Sequence, residues 1–151
     1  MRSKSVLKEQ MEVYNDLHNL ADEIGVDVVS VYYFSKVDKS LVLFASYGLD
    51  MDSWGSRINI DKGLVGKCAR EMKPLSVKNP MNHPDFYYLP GSGEEKYKTF
   101  ISFPITEKGE LLGVLVIQTI EMRSFRFEEI SKMYDIAYKH IPYIYSKAHD
   151  L

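Results

Sequence analysis

The sequence predicts an α+β domain with a mainly antiparallel sheet packed against helices. Three observations predict it. The two ends of the chain repeat apolar residues every three or four positions. Two pairs of apolar, β-branched runs are each joined by a short polar turn, which reads as hairpins and not as crossovers. The 151 residues, 45% hydrophobic and 26% charged, suffice for one domain, residues 1–151, with a full core.

The elements follow in order. Between Val6 and Ile24, the residues Leu7, Met11, Tyr14, Leu17, Ala21 and Ile24 fall on one helical face, and Lys8, Glu9, Glu12, Asp16 and Glu23 on the others. Gly25 follows as a C-terminal cap. Val26 to Lys36 is β-branched and aromatic, a strand, and after a turn at 37–40 Leu41 to Tyr47 returns as its partner. A polar stretch through Gly48, Asp50, Asp52 and Gly55 comes next. Ile60 to Met72 resumes helical spacing through Leu64, Val65, Cys68, Ala69 and Met72, and Lys73-Pro74 stops it, because proline cannot continue the hydrogen-bond ladder. Leu75 to Val77 makes a short strand.

Lys78 to Lys98 is unusual: Pro80, Pro84, Pro90, Gly91 and Gly93 alternate with Phe86, Tyr87, Tyr88, Leu89 and Tyr97. Loops this long are usually functional when they are ordered, and four aromatics need burial. Pro84 suits the first position of a short helical turn carrying Phe86, Tyr87 and Tyr88. Thr99 to Thr106 and Leu111 to Ile120, joined at 107–110, form the clearest hairpin. Phe125 to Leu151 closes the chain with helical period through Phe127, Ile130, Tyr134, Ala137, Ile141 and Ile144. Pro142 predicts a kink or an end near Tyr138 to Ile141.

Composition excludes several classes of function. Nineteen Lys and Arg against 21 Asp and Glu leave a net charge of −2, with no basic excess for a nucleic-acid partner. Leu111 to Ile117, the longest apolar run, falls short of the roughly 20 residues of a membrane span. Glu9, Glu12 and Asp16 interrupt any apolar leader region. The expected location is cytoplasmic, with neither nucleic acid nor membrane as partner. The single cysteine forms no internal disulfide or thiolate zinc cage, and His18, His83, His140 and His149 lack metal-ligand spacing, so no metal and no cofactor is expected. Gly66-Lys67-Cys68 fails as a phosphate loop, with Asp61 at the first glycine and Cys68 at the hydroxyl position. Gly91-Ser92-Gly93 lacks the third glycine of a dinucleotide fingerprint. No Gly-x-Ser-x-Gly elbow or acid pair appears, and no catalytic residue is assigned. Cys68 reads as a small buried hydrophobe or a pocket-facing thiol, and His83 as a turn or capping residue.

Two stretches carry a family resemblance. INIDKGLVGKCAREMKPLSV, residues 58–77, resembles the Gly-x-Gly-Leu-Val-Gly-x-x-Ala helix, then Lys-Pro-Leu and a strand, of GAF domains; Asp61 departs from it modestly. HPDFYYLPGSGEEKYKTFISFPITEKGELLGVLVIQT, residues 83–119, is similar to one subgroup, the N-terminal GAF domains of nitrogen-branch phosphoenolpyruvate-protein phosphotransferases (enzyme I). The resemblance runs from about Val6 to Tyr145. It implies a GAF-like (profilin- or PAS-like) antiparallel sheet of five or six strands. Terminal helices lie on one face, and a pocket helix and loop on the other. It also implies a regulatory, non-catalytic role in signal transduction, often as a dimer. The chain has no room for the phosphohistidine and barrel domains of the phosphotransferase. Gln118-Thr119 stand where cyclic-nucleotide-binding members carry Asn-Lys. One cysteine cannot serve the disulfide chemistry of methionine sulfoxide-reducing members, and Cys68 does not match a bilin attachment site.

The candidate ligand-binding residues are Val65, Cys68, Phe86, Tyr87, Tyr88, Tyr97, Thr99, Ser102 and Thr119. Tyrosines join apolar area to a hydroxyl, the three hydroxyl residues sit on neighbouring strands, and Gly63 to Gly66 opens a helix with free N–H groups. The expected ligand is a small metabolite such as an amino or keto acid. The plainer alternative is that Phe86 and Tyr88 fill a degenerate pocket as core. Tyr134, Tyr138, Tyr143 and Tyr145 supply more aromatic surface than one packed face needs, which predicts a homodimer through the first and last helices. A signalling output domain or protein is the other expected partner. Without a ligand, the domain would act as a dimerisation or protein-interaction module.

Overall fold

Helix α1 (Lys4–Ile24) buries Gln10, Val13, Leu17, Leu20, Ala21 and Ile24 along one side, and Gly25 ends it with its N–H on the Ala21 carbonyl at 2.8 Å. The buried stripe is rotated from the one read in sequence: Leu7 and Met11 stay exposed. The structure, a computed structural model, describes residues 4–86 and 94–139. Five strands match the predicted runs: β1 (Val28–Ser35), β2 (Ser40–Tyr47), β4 (Leu75–Lys78), β5 (Thr99–Glu107) and β6 (Glu110–Thr119). The sixth, β3 (Arg57–Asn59), pairs with Ser40 to Val42 at the sheet edge; three residues, two of them exposed, carried no apolar alternation to reveal it.

The strands form one antiparallel sheet in the order β3-β2-β1-β6-β5-β4. Helices cover both of its faces, so the central strands read as nearly continuous apolar runs. The turn between β5 and β6 is Lys108-Gly109, both at positive φ, the two-residue geometry that matches strand twist.

Side-chain parity separates the two faces. Phe103 of β5 packs on Tyr134 of α3 (Phe127–Lys139), ring centroids 4.6 Å apart. Phe100, three residues earlier and therefore on the opposite face, meets α2 (Gly63–Glu71). Helices α1 and α3 run antiparallel on the first face, joined by Lys132 to Glu23 and by Lys139 Nζ to Asp16 at 2.9 Å. Met133 and Ala137 are the buried apolar residues of α3, while Phe127, placed on the apolar stripe by its spacing, is 84% exposed. Pro142, Tyr143 and Tyr145 lie outside the described residues. None of the described helices is long and apolar enough to cross a membrane.

Candidate functional site

Helix α2 starts without a side-chain cap at Lys62 and lies close over the chain that precedes it. Gly66 makes that approach possible. A Cβ there would sit 2.5 Å from the Ile60 carbonyl oxygen, the same oxygen that accepts from Arg70 Nη1 at 2.6 Å. The helix ends at Met72, in the left-handed conformation, just before the Lys73-Pro74 stop read from the sequence. Beneath its first turn is a cavity of about 100 Å³, walled by Gly63, Leu64 and Val65 of α2, Tyr32 of β1, Phe100 of β5, and Val116 and Gln118 of β6. Leu49, Ile58, Pro80 and Phe86 complete the wall.

Phe86 is held by a short chain of polar contacts. Its N–H donates to the His83 carbonyl at 3.0 Å, and the Asp85 N–H donates to His83 Nδ1 at 3.0 Å. Lys67 Nζ of α2 reaches Asp85 at 3.2 Å and Glu71 at 2.8 Å. These two carboxylates raise the Lys67 ammonium pKa, so the tie from helix to loop stays charged. The His83-Pro84-Asp85 turn is thus a fastener for the aromatic wall. The helical turn in this region begins at Pro80 (Pro80–Asn82), not at the Pro84 that sequence favoured.

The nine candidates from sequence separate by position. Val65 and Phe86 line the cavity. Cys68 is buried against the sheet, its thiol donating to the Lys73 carbonyl at 3.3 Å. Ser102 is fully buried and shares the α2 face with Phe100, but it does not line the cavity, and its Oγ has no hydrogen-bond partner among the described residues. Tyr97 is buried on the approach to β5, with Lys96 Nζ 5.3 Å from its ring centroid, and does not line the cavity. Thr99 and Thr119 pair with each other and face α1 and α3, away from the cavity. Thr99 Oγ1 accepts from the Arg123 N–H at 3.0 Å and Thr119 Oγ1 donates to the Glu121 carbonyl at 2.6 Å. Tyr87 and Tyr88 lie outside the described residues. Sequence reasoning missed Tyr32, Phe100, Val116 and Gln118. The period of two along β6 was the available signal: Val116 and Gln118 share a face, and Thr119 takes the other.

Burial pushes the Cys68 thiol up to about 11, a rise that the neighbouring Ser102 hydroxyl opposes. Against the ordinary 9.0, that is about a hundredfold less thiolate at pH 8. Native protein should therefore react with iodoacetamide at least ~100-fold more slowly than urea-denatured protein. Equal rates would place the thiol at the surface. Among the described residues, no cluster of three or more His, Cys, Asp or Glu side chains could hold a metal ion.

A family model of the GAF domain matches residues 10–131, which takes in the whole sheet, α1 from Gln10, and α2. The chain belongs to the GAF family. A phosphoenolpyruvate-dependent phosphotransferase system protein of Escherichia coli is 33% identical over 116 residues, 76% of this chain but 15% of that protein. This GAF domain therefore spans about one seventh of its curated relative. The GAF domain of a phosphoenolpyruvate-protein phosphotransferase from Coxiella burnetii superposes with a TM-score of 0.75 at 27% identity, covering 91% of this chain and 95% of that one. A free methionine-R-sulfoxide reductase from Thermoplasma acidophilum superposes at 0.78 over 95% and 96% of the two chains; at 18% identity, that likeness is one of fold. The antiparallel sheet, with α1 and α3 on one face and α2 on the other, is the arrangement the sequence resemblance implied.

Proposed function

We propose that this GAF domain is a non-catalytic regulatory module of the cytoplasm. A small metabolite occupies the cavity under α2, and the terminal helices pass its effect to a signalling partner. The observation that carries this reading is the cavity itself, where an apolar wall drawn from eight separate stretches of chain surrounds one side-chain amide, that of Gln118, which bonds to no described residue. A short covalent path supports the second half. The Gln118 carbonyl accepts from the Asp27 N–H at 3.3 Å, directly after α1, and five residues beyond Gln118 Arg123 bonds both α1 and α3. A phosphotransferase relative of which this chain matches only 15% supports a role as one module of a larger protein, and a thiol held protonated disfavours cysteine chemistry. A thermal-shift screen against metabolites tests the proposal. A compound at 100 times its Kd adds about 2.7 kcal/mol, or roughly 5–11 °C for a domain of this size. A library that moves nothing counts against it.

A second reading, a ligand-free interaction module, has its own observation. Leu7, Met11 and Tyr138 are exposed on the terminal helices, and Tyr138 stacks on Tyr134 with ring centroids 6.3 Å apart. We propose that these helices also dimerise. Light scattering of the isolated chain should give twice 17.5 kDa, and a strict monomer at high concentration would exclude the homodimer.

A further inference from the structure

We propose that the cavity selects an uncharged ligand: a short branched or cyclic aliphatic body ending in one amide or carbonyl group that pairs with Gln118. This inference rests on the cavity being a ligand site, and it narrows the ligand away from keto acids and dicarboxylates. Size sets the first limit. An apolar cavity of about 150 Å³ encloses benzene. One of about 100 Å³ therefore encloses about four heavy atoms, the carbon skeleton of an isobutyryl group.

Charge sets the second. None of the described wall residues is ionised: the wall is Tyr32, Gln118, two aromatic rings, aliphatic side chains, a proline and a glycine. The nearby cations of α2 have other partners. Lys67 holds Glu71 and Asp85, and Arg70 holds the Ile60 carbonyl. The seven residues after Phe86, YYLPGSG, contain no Lys, Arg or His in their sequence. A carboxylate entering this wall would give up its hydration with no counter-ion among the described wall residues to replace it.

Gln118 sets the third. Its side chain offers one acceptor oxygen and an NH₂ donor, and bonds to no described residue. A ligand amide satisfies both at once. A ketone or alcohol satisfies one. The opposing influence is the start of α2, whose first N–H groups have no partner within the helix and would favour an anion. The two forces predict opposite rankings for ligands of one shape.

Isobutyramide and isobutyrate have the same carbon skeleton and differ in charge. Both, with succinate, should be titrated into the ¹⁵N-labelled full chain and followed by NMR. The expected result is that isobutyramide shifts the amides of Val65, Val116 and Gln118 and binds at least about tenfold more tightly than isobutyrate. Gln118→Leu, checked for an intact spectrum, should weaken isobutyramide by a similar factor. Isobutyrate or succinate binding as tightly at the same residues would overturn the uncharged class while leaving the cavity a ligand site. A metabolite from the thermal screen that binds there, with isobutyramide silent, would do the same. Silence from all three probes and from the screen would overturn both this inference and the reading beneath it.

Discussion

Gly113→Ala should cost about 3 kcal/mol of stability, lowering the melting temperature by roughly 6–12 °C. Gly113 sits in β6, opposite Tyr33 of β1 and Ile105 of β5, at the centre of the sheet. A Cβ built there would fall onto the Tyr32 carbonyl oxygen, well inside van der Waals contact, with the Tyr33 Cα at 3.2 Å. Both obstacles are backbone, so no rotamer change relieves them; the strands must part. Because Tyr32 and Val116 line the cavity, the damage reaches the site as well. Gly109→Ala is the control. It lies at φ +77° with nothing within 4 Å of the added carbon, so it should cost only the strain of the left-handed conformation, about 1–2 kcal/mol. Urea denaturation measures both. Equal losses would mean that β1 and β6 do not approach as described.

Arg123→Ala should cost a similar amount, about 3 kcal/mol, for a different reason. The Arg123 guanidinium donates to the Ile24 and Gly25 carbonyls at 2.9 and 3.0 Å, closing the end of α1. It also donates to Glu129 at 2.7 Å and lies 4.6 Å from the Phe125 ring centroid. Glu129 is buried at the start of α3, where its other oxygen accepts from the Arg126 N–H at 2.8 Å, the return half of a capping box. Removing the arginine takes the donor from two helix-end carbonyls and the guanidinium partner from a buried carboxylate, which keeps only its contacts with Arg126. A double-mutant cycle with Glu129→Gln should give a coupling of about 1–2 kcal/mol, and strict additivity would contradict the clamp.

The same contact sets an acid response. The Arg126 backbone N–H first, and then Arg123, hold the Glu129 carboxyl below its ordinary 4.5, against the opposing effect of burial. A carboxylate whose folded pKa is depressed adds stability above its unfolded value and loses it as pH falls through the folded one. Wild type should therefore lose stability more steeply than Glu129→Gln as pH falls from 4.5 downward. Parallel melting curves below that pH would show that the contact is not made.

Much of this fold could be read from local signals, and the site could not, for identifiable reasons. Lys108-Gly109 between two apolar runs is a local signal, and the β5–β6 hairpin followed from it directly. Helix α2 was legible because its spacing and its Lys73-Pro74 stop lie within one stretch of chain. The cavity has no such locality. Leu49 comes from the β2–β3 connection, Ile58 from the edge strand β3, and Pro80 and Phe86 from the long β4–β5 connection, and their convergence is set by the sheet order. Thr99 and Ser102 are three residues apart on a single strand, an odd separation that places them on opposite faces, so they could not line one pocket. In the sequence Gln118 stands out only as a departure from a family motif, although parity with Val116 places it on the cavity face. The Arg123–Glu129 clamp left a faint trace in the acidic first turn of α3.

The central claim is that the cavity beneath α2 is a ligand site and not a packing void. Its most direct test is the melting-temperature gain given by a ligand from the metabolite screen, measured in wild type and in Val116→Phe, which fills the cavity from the floor of the sheet. A gain of roughly 5–11 °C is expected in wild type at 100 times Kd, and none in a folded Val116→Phe domain. An equal gain in both proteins would place the ligand elsewhere and contradict the claim.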